Sequence, residues 1–282
     1  MSGWRIVLSR RWLGYLGFAV VFAIACGFLS SWQAARGREA VAANAVIDAN
    51  FDSAPVALDL ALPSLGSFHA NQEWLRVTAT GHYVAEDELL VRNRPTNAGP
   101  GFEVLTPLRL ADGSLFVVDR GWVPTGNRQD APDSVPPAPG GLVTVIARLK
   151  PSEPRLDTRS ASGNQIATIQ LPEVKNKIGG SVYTGAYGVL DSQTPVAAVA
   201  LAPVLTEAPI ADEGLHWSYM IQWVIFALIA FFGLGYAVRQ EYRLHNADEP
   251  QEHARAEERE RKRALKRTDA DVEDDILDSV LR

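Results

Sequence analysis

Two stretches without a single Asp, Glu, Lys or Arg decide what this chain can become: residues 12–35, 24 in all, and residues 214–238, 25 in all. Each exceeds the ~20 apolar residues with which an α-helix crosses the hydrocarbon core of a bilayer. The segment between them, residues 36–213, is too short to bury two such helices as well as its own core. Whole-chain values conceal this, because 47% hydrophobic residues and a mean hydropathy of −0.03 resemble an ordinary soluble protein. A charged tail offsets the apolar stretches in that average. The expectation is a two-pass membrane protein partnered by the lipid bilayer, with no nucleic-acid ligand.

Charge gives the expected orientation, since Lys and Arg flanking a span stay on the cytoplasmic side. Arg5, Arg10 and Arg11 precede the first stretch without any acid, and Arg239 and Arg243 follow the second. The intervening segment carries 14 basic and 20 acidic residues. Five segments follow: a cytoplasmic N-terminus (1–11), transmembrane helix 1 (12–35), an external domain (36–213), transmembrane helix 2 (214–238) and a cytoplasmic charged tail (239–282). The first stretch outruns the ~7–15-residue apolar core of a cleaved signal. Trp12, Tyr15 and Trp32 sit near its ends, where aromatic belts form, so it reads as a retained anchor.

The one cysteine, Cys26, falls inside the first stretch. A domain without cysteines has no disulfide, and the chain cannot be a thiol oxidoreductase, a c-type haem attachment protein or a soft-sulfur copper carrier.

Between the spans, short runs of alternating apolar and polar residues separated by turn formers predict strands at 75–84, 89–91, 102–110, 115–119 and 142–149. Asp112-Gly113 marks a hairpin, residues 121–127 a turn, and the proline-rich 130–141 a loop. Helices are predicted at 41–50 and 172–178, the latter opened by Pro172 and closed by Gly179 and Gly180. Residues 197–205 form a weak last strand. The fold class is therefore two transmembrane helices flanking an α+β domain with a mainly antiparallel, barrel-like sheet. In the tail, Glu257, Glu258 and Glu260 lie at helical spacings from Arg261, Lys262 and Arg263. Beyond Thr268 acids dominate, and disorder or a partner contact is expected.

Catalytic patterns are missing: there is no Gly-x-Ser-x-Gly, no phosphate loop, and the five histidines (69, 82, 216, 245, 253) form no helix-face metal pair. No catalytic residue is assigned, and the chain reads as a non-enzyme. His216 differs by position, at the outer end of the second span. With Tyr219, Met220, Trp223 and Ala227 it shares one helical face. An ionisable group in a span is a functional candidate, and a neutral imidazole among aromatics suits an axial ligand to haem iron. An interfacial-belt histidine is the alternative. Small residues Ala19, Ala23 and Gly27, and Ala227, Ala230 and Gly233, offer ridges for helix pairing, with a groove expected near His216. Arg92 and Arg94, on one side of an extended segment, and Arg120 could meet haem propionates or simply satisfy local carboxylates.

Trp32-Gln33 with Arg36, the Arg92 segment, Thr106-Pro107-Leu108, Arg120-Gly121-Trp122-Val123-Pro124, and His216, Tyr219, Gln222 and Trp223 together resemble the surfeit locus protein family, called Shy in yeast. The resemblance covers roughly residues 12–240. It implies an assembly factor of haem-copper cytochrome c oxidase (complex IV), chaperone-like, acting in supply or insertion of haem a into the catalytic subunit, with haem a synthase as a further partner. By the same resemblance His216 is the cofactor-binding residue and transient metal ligand; Tyr219 and Trp223 are expected beside it as packing or hydrogen-bonding cofactor neighbours, and the early start of the first span makes a bacterial plasma membrane the expected home. The alternative is an accessory subunit that stays in the oxidase or a respiratory supercomplex without ligating haem.

Overall fold

The computed structural model describes residues 9–127, 131–156, 163–245 and 250–264. Arg5 and the acidic end beyond Thr268 lie outside the described residues. The helices are α1 (Arg10–Asn50), α2 (Leu58–Ala61), α3 (Leu171–Ile178), α4 (Glu213–His245) and α5 (Pro250–Ala264). The strands are β1 (Val56–Ala57), β2 (Arg76–Tyr83), β3 (Leu89–Val91), β4 (Gly101–Leu110), β5 (Leu115–Pro124), β6 (Val143–Pro151), β7 (Gln165–Ile166) and β8 (Ala186–Thr194). They fall into two units, a helical one holding the chain up to Arg38 and from Asp212 onward, and a sheet domain, Glu39–Ala211.

In the helical unit, α1 and α4 are long and apolar enough to cross a membrane, and 11% and 0% of their apolar stretches are buried. A core helix of a soluble protein would be mostly buried. Phe18, Phe28, Phe232 and Tyr236 are instead 70–74% exposed, as apolar side chains that face lipid or a partner are. The pair reads as two membrane spans. The first helix does not stop at the lipid boundary: the alanine-rich 40–49 carries no Gly or Pro, so the expected second helix is simply its continuation to Asn50. Of the tail, α5 carries the expected pairing at Lys262 Nζ–Glu258 Oε1, 2.8 Å, fully in solvent.

The sheet order is β1-β2-β6-β8-β5-β4-β3-β7, and an additional β2–β4 pairing closes β2, β6, β8, β5 and β4 into a barrel. Orientation is mixed: β1 with β2, β3 with β7 and β5 with β8 run parallel, the other pairs antiparallel. Gly81 is where the ring closes, because it faces Val143 of β6 and Leu110 of β4 at once. A Cβ there would stand 2.2 Å from the Arg109 carbonyl oxygen. Alternate residues of β5 serve two cores. Phe116 and Val118 join Val77, Leu108, Val145 and Ala147, whereas Leu115 and Val117 join Ile166, Ile169, Val174 and Val182, a layer that includes α3.

Two local expectations change. Strand β5 continues to Pro124 instead of turning at Gly121, and residues 197–205 form only an isolated bridge to it. Both have one cause. Gly121 (φ 141°) has no side chain, so Ala202 closes on it, where a Cβ would lie 2.6 Å from the Ala202 oxygen, and Trp122 N–H donates to that same oxygen at 2.7 Å. The Asp112-Gly113 hairpin forms as expected, with Gly113 at φ 81° and Ser114 N–H donating to Asp112 Oδ1 at 2.9 Å. Likewise α3 is opened by the Gln170 side chain accepting from Glu173 N–H at 2.7 Å.

Gly81→Val should therefore prevent closure, destabilising the domain by about 3 kcal/mol or more, the upper end of overpacking costs. Gly66→Ala, with nothing within 4 Å of its added methyl, should stay within about 0.5 kcal/mol. Denaturant unfolding of the two variants in detergent, followed by tryptophan fluorescence, checks this.

Candidate functional site

The two spans lie antiparallel, as a ladder of contacts demonstrates. Arg11 pairs with Glu241 at 2.5 Å, Ser30 Oγ donates to the Met220 carbonyl at 3.1 Å, and Gln33 Oε1 meets His216 Nδ1 at 2.9 Å. Beyond these, the Trp217 indole covers Gly37, where a Cβ would sit 3.1 Å from Cε2. On α1 the buried residues Trp12, Ala19 and Cys26 recur every seven positions, and Gln33 is next in that series. A seven-residue repeat keeps one stripe of a helix against its neighbour. The predicted small-residue ridge is thus only partly used: Ala19 is buried, but Gly27 is exposed with nothing within 4 Å of its Cβ position.

His216 is half-buried on the stripe of α4 that faces α1, together with Met220, Trp223 and Ala227. Tyr219 is 41% exposed and sits outside that stripe. Trp223 makes an edge-on contact with Phe226, ring centroids 5.8 Å apart. The structure therefore joins His216 to Gln33, a residue that periodicity on α4 alone could not reveal. Its signal was available as one of few hydrogen-bonding side chains in the charge-free stretch 12–35. With the amide oxygen toward the ring, the contact calls for a proton on Nδ1, which would leave the Nε2 lone pair free. That is the form in which an imidazole ligates a metal.

The expected groove exists at the opposite end of the helix pair. Trp12, Tyr15, Phe18, Ala19 and Phe22 with Ala230, Gly233, Leu234 and Ala237 line a cavity of about 370 Å³. Fourteen residues separate His216 from Ala230, roughly 21 Å along a helix. Small residues make the gap, and His216 is not where they are.

In the sheet domain, the arginines considered for propionates are committed elsewhere. Asn93 adopts φ 56°, so the segment turns between Arg92 and Arg94. Arg94 holds Glu153 through Nη2 at 2.6 Å and approaches Glu103 through Nε at 2.8 Å. The second approach lacks hydrogen-bond alignment and leaves Nε unsatisfied. Arg120, whose side chain is 2% exposed, donates from Nη1 to Glu88 at 3.0 Å and from Nη2 to the Pro136 carbonyl at 3.1 Å. Burial is decisive for the carboxylates here. It pushes Glu103 up to about 7 despite Arg94, and, reinforced by the charge of Glu103, raises Asp119 well above the usual range. Glu153 runs the other way: burial alone would raise it, but hydrogen bonds from Thr168, Ile169 N–H and Arg94 hold it low.

Among the described residues no group of three His, Cys, Asp or Glu side chains could hold a metal ion. The family model described as the SURF1 family matches residues 20–228. An uncharacterized SURF1-like protein of Mycobacterium bovis is 33% identical over 245 residues, covering 84% of this chain and 87% of the relative. One of Mycobacterium tuberculosis matches to the same extent. A SURF1-like protein of Monosiga brevicollis is 32% identical over 107 residues, 34% of this chain and 40% of the relative.

The buried carboxylates predict a pH dependence. Below about 4.5 both folded and unfolded Glu103 hold the proton; from there to about 7 only the folded domain keeps it. Stability therefore falls as pH rises through that window. Glu153 contributes oppositely, its stabilisation being lost only in more acidic solution. The denaturation midpoint should be higher at pH 5 than at pH 7.5, and Glu103→Gln should reduce the difference; an unchanged difference in that variant would contradict the assignment.

Proposed function

The chain belongs to the SURF1 family, and from that premise we propose a chaperone-like factor that supplies haem a to the catalytic subunit of cytochrome c oxidase. Family membership itself implies a role in assembly of that oxidase. The observation that supports the finer reading is His216, hydrogen-bonded to Gln33 across the pair of largely apolar helices. Buried polar residues in lipid carry a desolvation cost that a purely structural span avoids.

Haem a, when bound, supplies a redox-active iron on an apolar ring with two anionic propionates. The donor chemistry of the chain fits such a group: an imidazole whose Nδ1 is engaged by Gln33 would offer Nε2. Tyr219, on the exposed flank one turn along, provides a phenol, and Trp223, two turns along, an apolar indole face. These residues, and not the distant groove, would hold the group. Arg94 and Arg120 serve the domain's own carboxylates and would not be the residues that hold the propionates. In this reading no covalent bond is made or broken, both termini are cytoplasmic in a bacterial plasma membrane, haem a synthase is the donor, and the external domain docks the oxidase.

The apolar groove at residues 12–22 and 230–237 favours a second reading, an accessory subunit that seats a neighbouring helix permanently. Co-expression with haem a synthesis separates the two. The purified wild type should show a haem spectrum that His216→Ala reduces at least tenfold. Normal pigment in the variant would remove His216 from the site. Colourless wild-type protein retained stoichiometrically in the mature oxidase would establish the subunit instead.

A further inference from the structure

The imidazole of His216 has two nitrogens that can exchange roles, and in bulk water a neutral histidine favours the proton on Nε2. A side chain holding the proton there cannot ligate through that atom until it tautomerises. Whichever group engages one nitrogen of the ring biases which nitrogen is free. Here the engaged atom is Nδ1, 2.9 Å from Gln33 Oε1, within hydrogen-bond range. Among the described residues the ring's hydrogen bond runs through that atom alone.

Gln33 is well placed to be constant in this role. It follows Trp12, Ala19 and Cys26 in the seven-residue series that α1 turns toward α4. Its helix neighbours fix the approach on either side: Ser30 is tied to the Met220 carbonyl at 3.1 Å, and Gly37 is covered by Trp217. Three consecutive turns of α1 are thereby registered against one stretch of α4, and the amide reaches the ring from a defined direction. Glutamine suits the task because it has an acceptor and no charge. A carboxylate would cost more to bury, and asparagine is one methylene too short to span the same gap.

We propose that Gln33 is a positioning residue: it holds His216 in the Nδ1-protonated tautomer, pins the ring, and presents Nε2 as the ligating atom. The statement about the imidazole stands on the haem-free protein; its consequence for haem rests on the reading above. Removing a partner of this kind typically lowers metal affinity 10–100-fold.

The test uses the full chain in lipid nanodiscs, without haem, with ¹⁵N-labelled histidine and the His216 signals identified by their loss in His216→Ala. The wild type should show a protonated Nδ1 and an unprotonated Nε2 at neutral pH. Gln33→Leu should shift His216 toward the Nε2-protonated form, and Gln33→Glu, which retains an acceptor, should restore the wild-type pattern. An Nε2-protonated ring in the wild type, or an unchanged ring in Gln33→Leu, would overturn the proposal. A general loss of helix packing would be visible as equal damage in Gln33→Leu and Gln33→Glu, and that result also counts against it. With haem a added, Gln33→Leu should bind at least tenfold more weakly than wild type. If the wild type binds none while the tautomers behave as expected, the carrier reading fails and the role of Gln33 in setting the ring survives.

Discussion

Withdrawal of polar groups from water is the interaction on which both units of this chain depend. In hydrocarbon every backbone amide must find a partner inside its own segment, which leaves the helix as the form available to a lone span. That single requirement explains why α1 and α4 are unbroken and free of charge across their apolar stretches. It also explains why two polar side chains that remain there are paired across the helices: Ser30 with the Met220 carbonyl and Gln33 with His216.

The same cost shapes the sheet domain. Closing the barrel buries β5 along nearly its whole length, and with it Asp119 and Arg120. Arg120 is tolerated because Glu88 and the Pro136 carbonyl take up its guanidinium, whereas burial, and then the charge of Glu103, pushes Asp119 well above the usual carboxylate range. Breaking such buried charge pairs is expensive, because the surviving partner is left without water. Arginines that look available in a list of residues are therefore structural once the barrel is closed around them.

Much of this was legible in advance. The spans, the Asp112-Gly113 hairpin, the capped α3 and most strands follow from local rules: absence of charge, turn chemistry and alternation. His216 was legible as an ionisable residue at the end of a span. What misled was anything set by a distant segment. Gly121 reads as a turn residue, yet it lies within a strand because Ala202 needs its empty side-chain position. Gly27 reads as a helix-packing residue, yet the seven-residue stripe runs through Cys26 instead.

By itself the sequence determined that two rods cross lipid with a mixed-class domain between them, since charge and hydropathy act locally and need no partner to be read. Only the tertiary structure decided which side chains meet: that the barrel closes at Gly81, that the groove opens away from His216, and that the imidazole is held by Gln33. Those outcomes depend on the register between segments far apart in the chain, and register is fixed by the packing of whole faces, which no single stretch of residues encodes.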